Sequence, residues 1–192
     1  MDSNLPYEKI FFTIVTVIPI AITMLQVQSR DSMLRIIRPV YWASAAFIFF
    51  YLSFLTYLQY NAFLEGLTLG AEGLFWFLGY VRVHFWNQYL ISFIVSLLIF
   101  WISAYFNKRR GEIFFEKEET YIIALAVLLV GYPGFFFYIP LVLFASIILS
   151  LILVKKGERL PLYYFWMPIC VAVLLIVNFW IMHQAWWATF RF

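Results

Sequence analysis

From end to end, the chain alternates between long runs with no charged residue and short clusters of Lys, Arg, Asp and Glu. Ile10–Gln26, Val40–Asn61, Tyr89–Phe106 and Leu162–Met182 are four such runs. At about 1.5 Å per residue, each has the length of a helix that crosses a hydrocarbon core of about 30 Å, the first only just. Pro19 lies inside the first run and predicts a kink. Pro39 precedes the second, where a proline suits a first helical turn because the N–H it lacks would be unpaired there. Asn107-Lys108-Arg109-Arg110 ends the third, and the last is entered through Pro161 with a bend predicted at Pro168.

A fifth run, Thr120–Val154, is 35 residues long. As one helix it would measure roughly 52 Å, far more than the membrane core needs. Gly131-Tyr132-Pro133-Gly134 lies within it and predicts a tight turn, so the run divides into a hairpin of two spans. The first arm, Thr120–Gly131, covers roughly 18 Å and must draw the preceding acidic residues towards the membrane. The prediction is an all-α polytopic membrane protein, residues 1–192 forming a single integral membrane domain with six transmembrane helices.

Composition supports this class. Of 192 residues, 65% are apolar and 12% charged, with 23 Phe, 13 Tyr and 8 Trp; soluble domains carry about 25% charge. This excludes a water-soluble enzyme, a disordered linker and a nucleic-acid-binding module, so no nucleic acid is expected as a partner. The partner the sequence calls for is the lipid bilayer. No A-x-A-like site follows the first run, which is therefore read as a span and not as a cleaved signal peptide.

The net charge of +3 gains meaning from its distribution. Arg30, Arg35 and Arg38 follow span one; Lys108, Arg109, Arg110 and Lys117 follow span three; Lys155, Lys156 and Arg159 follow span five. Only Lys9, Arg82 and Arg191 remain for the other side. By the positive-inside rule the three basic loops are cytoplasmic and both termini lie outside the cell membrane. Residues 62–88, with Trp76, Phe77, Tyr80, Phe85 and Trp86, are expected to form an interfacial segment between spans two and three.

Candidate chemistry lies in the cytoplasmic loops. Glu112, Glu116 and Glu119 are spaced i, i+4, i+7 and would share a helix face leading into span four. Glu119 is expected at or just below the membrane surface, where an ionised carboxylate is costly and an acid can be poised for chemistry. Asp31 lies in the loop after span one. Each has an ordinary reading: Glu112 can pair with Lys108, Asp31 with Arg35, and Glu119 can serve as a helix N-terminal acid. His84 and His183 stand apart from any set of acids at ligand spacing, so no metal site is expected, and no cofactor motif is present. Cys170 is the one cysteine, which rules out a disulfide framework.

The order of these parts resembles the type IV prepilin and preflagellin peptidases, polytopic aspartyl proteases that cut pilin-like leaders at the cytoplasmic face. That family has an Asp after a span, then a basic residue and a helix-opening Pro; Asp31, Arg35 and Pro39 stand in this order, one residue too long. Its second Asp closes a GxGD motif and precedes a helix ending at Gly; here Glu116-Lys117-Glu118-Glu119 replaces GxGD and runs to Gly131-Tyr132-Pro133. Leu160-Pro161 through Trp166-Met167-Pro168 resembles the Pro-containing opening of the family's last span. The family's Cys-rich methyltransferase region has no counterpart.

The resemblance implies Asp31 and Glu119 as catalytic carboxylates, Glu116 and Arg35 as substrate-binding residues, no cofactor, and a pilin-like membrane substrate. Loss of both GxGD glycines favours the alternative, a non-catalytic relative, or another small polytopic protein, that binds a membrane partner. A transporter is disfavoured because charges are missing from the spans.

Overall fold

The computed structural model describes residues 6–28, 33–66, 71–109, 117–153 and 164–180, and among these every regular element is helical. The α-helices are α1 (Pro6–Gln28), α2 (Met33–Gly66), α3 (Ala71–Val81), α4 (Asn87–Arg109), α5 (Lys117–Val130), α6 (Phe135–Leu153) and α7 (Trp166–Phe179). A π-helical turn, Arg82–Trp86, joins α3 to α4 without a break. Three stretches, within α1, within α2 and through α3 into α4, are long and apolar enough to cross a membrane, as expected of a membrane protein. α6 and α7 contain shorter apolar helices.

Several boundaries differ from the sequence reading. α2 begins at Met33, so Pro39 lies inside the helix and not in its first turn. Its ring sits on an exposed face, where the carbonyl it leaves unpaired is open to the surroundings. Pro168 is the third residue of α7, within the first turn, where a missing N–H costs no intrahelical bond and no bend is required. Within residues 62–88, α2 continues to Gly66, and α3 runs through the π turn into α4. Pro161 lies outside the described residues.

The turn at Gly131-Tyr132-Pro133-Gly134 is present, and α5, with 14 residues, is shorter than α6, with 19. Gly131 has φ +71°, a left-handed conformation that glycine adopts without a Cβ penalty. Its N–H closes on Val127 O at 3.1 Å, and its carbonyl receives Phe135 N–H at 2.9 Å. One glycine thus ends α5 and opens α6.

Direction along the bundle follows from side-chain pairs. Phe11 of α1 stacks on Phe47 and Tyr51 of α2. From Tyr41 to Phe49 to Thr56, α2 meets Ser96, then Phe93, then Trp86, so α2 and α4 are antiparallel. Ser92, Ser96 and Phe100 of α4 meet Tyr132, Ala124 and Tyr121, so α4 and α5 are antiparallel as well. The end of α1, the start of α2, the end of α4 and the start of α5 therefore lie at one end of the bundle.

At the centre is α5. Every side chain from Ile122 to Val130 is buried, on all faces of the helix, against α2, α4, α6 and α7. The surrounding helices bury one stripe each: Val15, Pro19, Ile22 and Gln26 on α1, and Met33, Ile37, Tyr41, Ser44, Ile48 and Leu52 on α2. Their outward faces carry Ile14, Val17, Trp42, Phe50, Leu98 and Trp101, a large apolar exterior suited to lipid.

Candidate functional site

Two groups of polar side chains lie inside this apolar body. The first is a seam on α4. Ser92, Ser96, Ser103 and Asn107 are its buried residues, spaced so that they share one face. Ser96 Oγ donates to Ala124 O of α5 at 2.7 Å. A serine hydroxyl carries one proton, so the contact of 3.1 Å between Ser96 Oγ and Tyr41 has the tyrosine O–H as donor. Three helices are thereby joined at one point. Ser92 Oγ donates to Gln88 O at 2.7 Å and accepts Tyr132 N–H at 2.6 Å, tying the α5–α6 turn to α4. On the other side of α5, Cys170 Sγ of α7 approaches Ala126 O at 3.8 Å. Both neighbours reach the carbonyl of an alanine, whose small side chain leaves the backbone accessible.

The second group lies at the end of the bundle where α5 begins. Glu119 is 5% exposed, and Thr120, Asn107, Ser103 and Gln26 are buried at the same end. A first-turn acid there is favoured by the helix dipole, and Glu118 stands beside it, half-buried. The short arm thus carries Glu119 into the protein, as its length requires.

Of the other predicted site residues, Asp31 and Glu116 lie outside the described residues, as does Glu112. The chain nevertheless leaves α1 at Gln28 and enters α2 at Met33, both at the end of the bundle that holds Glu119. Arg35 is exposed, on the face of α2 opposite the fully buried Met33 and Ile37, and so is turned away from the packed interior around α5. Among the described residues no group of three His, Cys, Asp or Glu side chains could hold a metal ion. The Nε1 of buried Trp166, at the start of α7, has no hydrogen-bond partner among the described residues.

The serine seam was not anticipated. Its signal was available: Ser92 and Ser96 are spaced i, i+4 in an apolar run, with Ser103 and Asn107 continuing the face. No family model, curated protein or solved structure matches this chain.

Proposed function

We propose that this chain is a six-span integral membrane protein with both termini outside and its basic loops in the cytoplasm, where it cleaves the leaders of pilin-like membrane proteins. The observation that carries this reading is the burial of Glu119 at the entrance of the enclosed helix α5, at the end of the bundle where α1 ends at Gln28 and α2 begins at Met33. Two carboxylates at one membrane face supply what peptide hydrolysis needs. One takes a proton from water as its oxygen attacks the scissile carbonyl; the other, protonated, donates to the carbonyl oxygen. Collapse of the tetrahedral adduct breaks the C–N bond, the amine leaves with a proton from the acid so formed, and a carboxyl and an amine result. Roles are not divided between Asp31 and Glu119, because coupled carboxylates titrate as a pair.

A specific observation favours a second reading. Glu118 and Glu119 occupy the first turn of α5, where acids stabilise a helix without any chemistry, and neither GxGD glycine is present. On this reading the chain is a non-catalytic relative that binds a pilin-like or other membrane partner.

Co-expression with leader-bearing pilin-like proteins separates the two. Asp31→Asn and Glu119→Gln should each abolish cleavage while the amount of membrane protein stays unchanged. Cleavage that persists in either variant contradicts the two-carboxylate mechanism, and no cleavage by the unmodified protein across several substrates selects the partner-binding reading.

A further inference from the structure

We draw no further inference here: the strongest candidate, the apolar groove between α1 and α2 walled by Phe11, Ile14, Phe47, Phe50, Tyr51 and Phe54, carries nothing because nothing in the structure shows what covers it.

Discussion

Helices α5 and α6 come from one uncharged 35-residue run, yet they have opposite surroundings. In α5 the nine residues Ile122–Val130 are all buried. Among the described side chains of α6, the buried hydrophobic ones are Phe135, Tyr138 and Val142, in the first turns; Phe144, Ile147 and Ile148 are exposed, and Leu151 is 81% exposed. Hydropathy does not separate the two, because lipid and protein interior are both apolar and offer no hydrophobic preference. Side-chain size and backbone access do. α5 has Ala124 and Ala126, where Ser96 and Cys170 reach main-chain carbonyls from two neighbouring helices. Ser146 of α6 instead bonds back to Val142 O of its own helix, at 2.5 Å, and ties it to nothing else. Near its start α6 does reach a neighbour: Tyr138 donates to Trp166 O of α7 at 3.0 Å.

The sharpest way to break this contrast is to make the same truncation in each arm. Leu125→Ala leaves a cavity inside the bundle and should cost about 2–4 kcal/mol. Leu151 is 81% exposed, so Leu151→Ala opens no cavity inside the bundle and should change stability by less than about 0.5 kcal/mol. Steric-trap unfolding in bicelles measures both, and equal losses would mean that α6 is as enclosed as α5.

The junction between the arms should respond next. A Cβ at Gly134 would stand 2.8 Å from Val130 Cγ1 and 2.9 Å from Val130 O, so Gly134→Ala forces the end of α5 to shift. A loss of about 1–3 kcal/mol is expected in the same assay, as for other overpacked sites. At Gly131, where an added Cβ would meet Ser92 Oγ at an ordinary contact distance of 3.8 Å but φ is positive, Ala should cost about 1–2 kcal/mol from backbone strain.

The smallest effect belongs to the hydroxyls. Ser96→Ala removes the link between α2, α4 and α5 and should destabilise by about 0.5–1.5 kcal/mol, the range for interhelical hydrogen bonds in membranes. Ser146→Ala should be neutral within about 0.3 kcal/mol, since its bond lies within one helix. A larger loss at Ser146 than at Ser96 would reverse the assignment of inside and outside.

Much of this was legible in the sequence. The Gly-Tyr-Pro-Gly turn, the shortness of the arm before it and the burial of Glu119 all follow from counting residues against the thickness of a membrane. Which arm is enclosed was not legible, because periodicity vanishes in a helix that is apolar all round, and α5 and α6 are both of that kind. Ser92 and Ser96 carried the missing information as polar groups on α4, the helix that packs on α5. The start of α2 was misjudged at Pro39, and Pro168 was read as a bend inside a helix instead of a first-turn residue, because proline is tolerated in first turns and on an outward face, so its position alone does not mark a boundary. At the candidate site, the buried acid was foreseen but the outward direction of Arg35 was not; it depends on which face of α2 packs, and Met33 and Ile37 decide that.

That α5 is sheathed by protein while α6 turns an exposed apolar face outward is tested most directly by photolabelling the unmodified protein in bilayers whose acyl chains carry diazirines. After illumination and peptide mapping, adducts should fall on Phe144, Ile147, Ile148 and Leu151, with none on Ile122–Val130. Labelling of the α5 segment at a level equal to that of α6 would contradict the account.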